Sequence, residues 1–227
     1  MKFDWVPVTR FEQNCSILSC EATHHAAVVD PGGDIELILD ILEWQELKLD
    51  VVLVTHGHFD HAGGAKKLAD KTGARIEGPH QDDEHLIRCL PEHGSRFGVR
   101  ADAFTPDRWL NDGDLINFGE VQIAALHCPG HTKGHIAYYH EATKSAFVGD
   151  ILFQGAIGAW DHADGNLIQL ISSIRSKLFP LGDDVQFMPG HGETSTFGRE
   201  RRDNPFISDA AMAKWKVKFE PCTDMPG

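Results

Sequence analysis

The sequence predicts an α/β fold, in which short buried strands alternate with amphipathic helices. Two observations support this prediction. Short apolar runs rich in β-branched residues, such as Val-Val-Leu-Val at 51–54, are typical of parallel strands buried on both faces. Other segments place apolar residues at helical spacing, as Leu167, Leu170 and Ile174 do.

The predicted elements follow one another along the whole chain. The predicted strands are residues 2–8, 15–20, 26–30, 51–54, 75–77, 121–126, 134–139, 145–148 and 185–188. The predicted helices are residues 34–47, 62–71, 82–90, 166–179 and 209–216.

Three features of these elements lead to further predictions. Asp34 precedes a helix and is predicted to cap it. The acidic run at 82–84 is predicted to be the solvated first turn of a helix, where negative charge is favourable. Residues 94–105 are predicted to form a surface loop, and long loops beside a site often contact substrate.

Composition limits the number of domains and the kinds of partner. A single domain over residues 1–227 is predicted, because no Pro/Gly/Ser-rich linker divides the chain. The net charge of −13 argues against nucleic acid and anionic membranes as partners, since affinity for both depends on Lys and Arg. No apolar run approaches ~20 residues and no secretory signal is seen, so a cytoplasmic location is expected. The five cysteines are scattered and are expected to stay reduced.

Four potential metal ligands lie within six residues, directly after the predicted strand 51–54. His56 and His58 project to the same side of an extended chain, so they can share one ion. Asp60 and His61 come at the start of the next helix and face a second point nearby. The spacing therefore predicts a metal-binding loop.

Three further polar side chains follow the ends of later predicted strands: His131, Asp150 and His191. Active sites of open α/β sheets form at the carboxyl ends of the strands, so these side chains are expected to join the first loop. The prediction is two ligand clusters joined by a bridging carboxylate. The clusters are His56/His58/His131 and Asp60/His61/His191, and the bridge is Asp150.

Imidazole and carboxylate ligands suit Zn²⁺, Fe or Mn²⁺. Two Zn²⁺ sites are expected, with iron or manganese as alternatives. Cys128 is close to His131 in the sequence and is the weaker ligand candidate of the two. His135 is expected to support the ligands from outside or to lie in the core.

The motifs, taken in order, resemble those of the metallo-β-lactamase superfamily, and the resemblance covers nearly the whole chain. Within the superfamily the chain looks most like small bacterial glyoxalase II-like proteins, in segments that include residues 105–110, 149–153, 180–184 and 204–206. The resemblance implies a four-layer αββα sandwich with the metals at one edge between the two sheets. The matching motifs are His56-x-His58-x-Asp60-His61, Pro129-Gly130-His131-Thr132, Gly149-Asp150 and Pro189-Gly190-His191-Gly192.

The resemblance implies a metal-dependent thioester hydrolase that cleaves S-lactoylglutathione-like substrates to a hydroxy acid and a thiol. In such an enzyme a metal-bound hydroxide attacks the thioester carbonyl. Asp60 and Asp150 would be catalytic and would orient that hydroxide. Lys133, Phe153 and Trp160 are the expected substrate contacts, and a monomer or homodimer is expected.

The chain departs from the glyoxalase II pattern on the side that binds the thiol. Ala159 stands where a Lys or Arg is expected, and Glu193 stands where a tyrosine usually follows the last histidine. Only a short tail follows His191, without the helical region that helps to hold glutathione. Lys133, Arg175 and Arg199 are the candidates for the missing charge.

Other functions compete with the hydrolase. A mononuclear iron persulfide dioxygenase would use His56, His131 and Asp150. A lactonase is a further alternative, whereas zinc β-lactamases carry a cysteine where Asp150 stands. A binding module without activity is disfavoured because no ligand position is lost, and RNA processing is disfavoured by the acidity of the chain.

Overall fold

In a computed structural model, which describes residues 1–215, two β-sheets pack face to face and helices cover both outer faces. The strands are β1 (Lys2–Val8), β2 (Gln13–Ser19), β3 (His25–Val29), β4 (Lys48–Leu53), β5 (Arg75–Glu77), β6 (Leu115–Phe118), β7 (Val121–His127), β8 (Ile136–His140), β9 (Ser145–Gly149), β10 (Leu152–Phe153), β11 (Ala156–Ile157), β12 (Gln186–Pro189) and β13 (Ser195–Thr196). The helices are α1 (Ile35–Trp44), α2 (Phe59–Ala62), α3 (Ala65–Thr72), α4 (Glu84–Arg88), α5 (Leu90–Arg96), α6 (Leu167–Ser173), α7 (Phe197–Asp203) and α8 (Asp209–Trp215).

Both sheets are mixed, and each has parallel strands where the chain crosses over through a helix. The first sheet has the order β1-β2-β3-β4-β5, with β4 parallel to both of its neighbours. The second has the order β13-β12-β9-β8-β7-β6, with β9 and β12 parallel. A separate two-stranded hairpin joins β10 and β11. The predicted buried parallel strand at 51–54 thus covers the C-terminal half of β4, which ends at Leu53.

Side chains that point alternately to the two faces of each strand create three apolar layers. In β2, Ile17 packs in the layer under α1 and α3, whereas its neighbour Leu18 packs between the two sheets. In β9, Phe147 likewise faces the first sheet, and Val148 faces α6 on the other side. Successive side chains of a strand point to opposite faces, so both sheets are buried on two sides. The predicted four-layer αββα arrangement is confirmed.

The predicted helix at 62–71 is wrong in detail, because the chain breaks between α2 and α3 at Gly63 and Gly64. The amide of Gly64 donates to the carbonyl of Pro31 at 2.9 Å. A Cβ atom at Gly64 would lie 2.4 Å from that same oxygen, so only glycine allows this approach. The break lets the helix that carries Asp60 and His61 turn towards the sheet edge.

Three other predictions about local structure need correction. Asp34 has φ +48° and no capping hydrogen bond, and its carboxylate instead accepts from the amide of Thr9 at 2.6 Å. In the acidic run, Asp83 is completely buried rather than solvated. The predicted loop at 94–105 begins inside a helix, since α5 continues to Arg96.

The region after His191 contains more structure than a short tail. It forms β13, α7 and α8, of which β13 and α7 were not predicted. The predicted end of the last helix, Lys216, lies outside the described residues. Within residues 1–215, every helix is too short or too polar to cross a membrane. Four cysteines are free in the same range, and Cys222 lies beyond it.

Candidate metal centre

Four loops meet where the edges of the two sheets come together. They follow β4, β7, β9 and β12, and they carry His56, His131, Asp150 and His191 respectively. A β-bridge between Gln13 and His191 joins the first sheet to the last of these loops. All seven predicted ligand side chains lie in this region.

The first cluster consists of three imidazole nitrogens. Nδ1 of His58 lies 3.0 Å from Nε2 of His56 and 3.0 Å from Nε2 of His131. His56 is fully buried and His131 nearly so. The outward nitrogens have partners, because Nδ1 of His131 donates to the carbonyl of Ala159 at 2.8 Å and Nδ1 of His56 lies 3.0 Å from the hydroxyl of Thr55. Such outer partners fix the orientation of a ligand imidazole.

The second cluster combines imidazole with carboxylate. Nε2 of His191 lies 3.2 Å from Oδ2 of Asp60, and Nε2 of His61 lies 3.8 Å from the same oxygen. Nδ1 of His61 bonds to Oδ2 of Asp30 at 2.9 Å, and Nδ1 of His191 donates to the carbonyl of Phe11 at 3.0 Å. Both Nε2 atoms are therefore directed into the cluster.

Asp150 lies between the two clusters. Its Oδ1 is 3.3 Å from Nε2 of His61, and its Oδ2 is 3.8 Å from Nε2 of His131. Behind it, Nε2 of the buried His135 accepts from the amide of Asp150 at 3.2 Å, and the His135 ring stacks on His56. The expectation that His135 supports the ligands from outside agrees with this geometry.

The donor set fits divalent cations. Nε2 of His61 and Oδ1 of Asp150 are buried and have no hydrogen-bond partner among residues 1–215. Buried polar atoms almost always have a hydrogen-bond partner. Two neighbouring buried atoms without one are therefore unusual, unless a cation binds to both. The atoms of each cluster lie within 4.8 Å of one another, close enough for one ion.

The histidine pKa values of the two clusters are shifted in opposite directions. Burial holds the pKa of His56, His58 and His131 below the usual range for histidine, and the neighbouring imidazoles add to the effect at His56 and His58. Burial also opposes charge at His61 and His191, but the nearby carboxylates outweigh it and raise the pKa of both. For Asp150, burial opposes ionisation, but the surrounding histidines keep its pKa below the usual range.

The family model described as the metallo-β-lactamase superfamily matches residues 8–191, which is most of the chain. The chain belongs to the metallo-β-lactamase superfamily.

Within the superfamily, the chain is 45% identical over 210 residues to hydroxyacylglutathione hydrolase GloC of Haemophilus influenzae, covering 92% of this chain and 99% of that protein. Among solved structures, the BLEG-1 B3 metallo-β-lactamase has a TM-score of 0.83 at 30% identity, covering 91% of this chain and 99% of that one. The protein TTHA1623 in a di-iron-bound form has a TM-score of 0.81 at 29% identity, covering 90% and 100%.

The three basic residues predicted to supply the missing charge near the thiol have different surroundings. Arg175 donates to the carbonyl of Ile207 and pairs with Asp209 at 2.7 Å, so it holds the chain before α8 in place. The Lys133 ammonium pairs with Asp164 at 3.2 Å. Arg199 is exposed on α7.

Arg199 lies close to two of the ligand loops. With the Gln154 amide oriented to satisfy both partners, its oxygen accepts from Arg199 at 2.5 Å and its nitrogen donates to Glu193 at 3.1 Å. Gln154 follows Phe153 in the β10–β11 hairpin after Asp150, and Glu193 follows His191 by two residues. Trp160 is 40% exposed, in the loop whose Ala159 carbonyl binds His131.

Two sites that contain ligand-type residues do not join the centre. Burial raises the pKa of the Cys128 thiol to about 12, and this residue packs in the core under α6. His80, Asp82 and His127 form another group of ligand-type atoms, apart from the centre. However, the two imidazoles stack at 4.1 Å with planes only 15° apart. Their in-plane lone pairs therefore lie in separate layers, which is poor geometry for one shared ion.

Several residues that organise the site were not identified from the sequence. The carboxylate of Asp30 accepts from the amide and hydroxyl of Thr55 as well as bonding His61. The Asn14 side chain donates to the carbonyls of Pro189 and Gly192. Asp30 could have been found from the sequence, because it lies at the end of a predicted strand, as Asp150 does. Nothing in the sequence around Asn14 indicates its role.

Proposed function

We propose that the protein is a metal-dependent thioester hydrolase of the glyoxalase II type, acting on an S-lactoylglutathione-like substrate in the cytoplasm. The main support is the convergence of seven ligand side chains into two clusters with Asp150 between them. A hydroxyacylglutathione hydrolase that this chain matches over 99% of its length supports the choice of reaction. We propose Zn²⁺ in both clusters, with iron or manganese as alternatives, since the donor set suits all three.

Two cations held in these clusters would bring the pKa of a coordinated water towards neutrality and polarise a carbonyl oxygen. The protein contributes the positions of the groups around them. Asp60 in the second cluster and Asp150 between the two clusters would orient the attacking water. His135 fixes the backbone of Asp150. Hydrolysis breaks the C–S bond and releases a hydroxy acid and a thiol.

On the substrate side, we propose that Phe153 and Trp160 provide apolar surface next to the bridging carboxylate. Lys133 was also predicted to bind substrate, but its ammonium pairs with Asp164, so its charge is already partly compensated. Arg199, beside the hairpin of Phe153, is in a better position to meet a carboxylate of the thiol. His162 adds a polar group, because its ring lies 5.7 Å from that of His58 and its Nε2 is buried without a partner among residues 1–215.

The direct test is turnover by the metal-loaded protein of S-lactoylglutathione and of the lactoyl thioester of N-acetylcysteamine, a thiol without carboxylates. We expect hydrolysis of both, with a lower KM for the glutathione conjugate. Arg199→Ala should raise KM for the glutathione conjugate only. Arg202→Ala on the same helix, where Arg202 pairs with Asp203, is the matched control and should change neither KM.

Failure to hydrolyse either thioester would contradict the proposal. Oxygen uptake with glutathione persulfide would instead support the iron dioxygenase alternative, which uses His56, His131 and Asp150. That alternative, the lactonase and the oligomeric state stay predictions.

A further inference from the structure

Asp83 is a buried carboxylate that has no part in the proposed chemistry. It ends the 3₁₀ turn Gln81–Asp83, and it is 0% exposed although the adjacent Asp82 is exposed. Within residues 1–215 it makes no ion pair at 4.0 Å or less. Burying a carboxylate that has no ion-pair partner is costly unless hydrogen-bond donors surround it.

Three donors converge on this carboxylate, and they come from two ligand loops. Oδ2 accepts from the amide of Gly57 at 2.9 Å and from the hydroxyl of Thr132 at 2.8 Å. Oδ1 accepts from the amide of Gly134 at 2.6 Å. Hydrogen bonds to a charged acceptor are stronger than neutral ones, and low local polarity strengthens them further.

Two of these donors are sequence neighbours of the three histidines of the first cluster. Gly57 is the residue between His56 and His58, and Thr132 directly follows His131. The amide of His80 donates to the carbonyl of Gly134 at 3.0 Å, which fixes the segment before Asp83 on the same loop. A Cβ atom at Gly134 would lie 2.6 Å from the amide nitrogen of Asp83, so the contact also depends on glycine.

The ligands of the second cluster are held by other groups. Asp30 bonds His61, and the carbonyl of Phe11 accepts from His191. No hydrogen bond of the Asp83 side chain reaches the residues of that cluster within the described range. The carboxylate is therefore specific to one half of the centre.

We propose that Asp83 is a positioning residue that joins the His56–His58 loop to the His131 loop and so sets the geometry of the first ligand cluster for its cation. This inference rests on the proposed ligand clusters, but it does not depend on which substrate is hydrolysed.

The test isolates each cluster and measures affinity for Zn²⁺ rather than activity. The protein is stripped with a chelator, and its dissociation constant is measured by competition with a chromophoric chelator. In a His191→Ala background only the first cluster keeps all three of its ligands. In a His58→Ala background only the second cluster keeps all three. Asp83→Asn, which keeps the shape but places an amide where donors converge, is introduced into each.

In the first background we expect Asp83→Asn to weaken Zn²⁺ binding by about 10- to 100-fold, the usual effect of losing an outer partner of a metal ligand. Thr132→Val, which removes one of the three donors, should weaken binding less. Asp82→Asn, at the exposed neighbouring position, should change the dissociation constant by less than about twofold. In the second background Asp83→Asn should also have almost no effect.

Two results would overturn the proposal. One is unchanged affinity of the first cluster in both Asp83→Asn and Thr132→Val. The other is an equal loss in both backgrounds, which would indicate a general role in folding. Circular dichroism and thermal unfolding check that each variant is folded, and Thr132→Val decides the question if Asp83→Asn is not. Failure of thioester hydrolysis would leave these affinities unaffected, so the two proposals fail separately.

Discussion

The two ligand clusters lie side by side, yet the histidine pKa values are lowered in one and raised in the other. In the first cluster, burial holds the pKa of all three imidazoles below the usual range, and neighbouring imidazoles add to the effect at His56 and His58. In the second, carboxylates raise the pKa of His61 and His191 above the usual range. Protons should therefore compete with a cation more strongly at the second cluster than at the first.

The largest expected effect comes from removing one ligand from each cluster. His58→Ala and Asp60→Ala should each lower kcat/KM for a thioester by more than about 100-fold, since metal ions supply several kcal/mol of transition-state stabilisation. Each variant should keep most of its fold and lose one bound ion, measured by mass spectrometry of the metal content. Full activity in either variant would rule out the mechanism.

A smaller effect should follow from filling the space next to the bridge. A Cβ atom at Gly190 would lie 2.1 Å from Oδ1 of Asp150 and 2.5 Å from Cε1 of His61. Gly190→Ala should therefore displace the carboxylate and lower activity at least about tenfold. Gly192→Ala is the control: its Cβ meets nothing within 4 Å, although φ of +76° should cost about 1 kcal/mol of stability. Equal activity loss in both variants would show that the loop backbone, not the bridge, is responsible.

Asp30→Asn should affect the second cluster most, because Asp30 bonds His61 directly and reaches His56 only through the Thr55 hydroxyl. The amide can no longer accept in the same way from Thr55 and His61, so we expect about 10-fold weaker Zn²⁺ binding there. Asp50→Asn provides the matched control. Asp50 also bonds a histidine, but that histidine, His25, is not one of the predicted ligands. Stepwise affinities from chelator competition would show the difference, and a loss at the first cluster as large as the loss at the second would contradict the division of roles.

The pH dependence of binding should also separate the clusters. Because the pKa values of His61 and His191 are raised, their protons compete with the cation as the pH falls through those values, and affinity drops. The lowered pKa values of the first cluster leave it neutral near the ordinary histidine value of about 6.5, so its affinity should change little there. Calorimetry in buffers of different ionisation enthalpy counts the protons released per ion. Equal release from both clusters would contradict the comparison.

The seven candidate ligands could be identified from the sequence because their signal is local. His56, His58, Asp60 and His61 form one short pattern, and the other three ligands each follow a recognisable strand. The residue types and the rule that active sites form at strand ends were sufficient to place them together. The same reasoning gave the central strands, whose apolar alternation is visible in the chain.

The supporting groups could not be predicted because their roles depend on distant partners. Asp83 is in an acidic run that is typical of a solvated helix start, and only the approach of Gly57 and Gly134 makes it a buried acceptor. Asn14 likewise acquires its role from carbonyls about 175 residues away in the chain. Helix α7 was missed because its basic face resembles a surface loop rather than an amphipathic helix.

One titration tests the central claim most directly. Metal-free protein is titrated with Zn²⁺, and separately with Fe²⁺ and Mn²⁺, while hydrolysis of S-lactoylglutathione is followed. We expect activity to rise from near zero to a plateau at two ions per chain. Full hydrolysis without metal, or no hydrolysis when both clusters are filled, would contradict a binuclear thioester hydrolase.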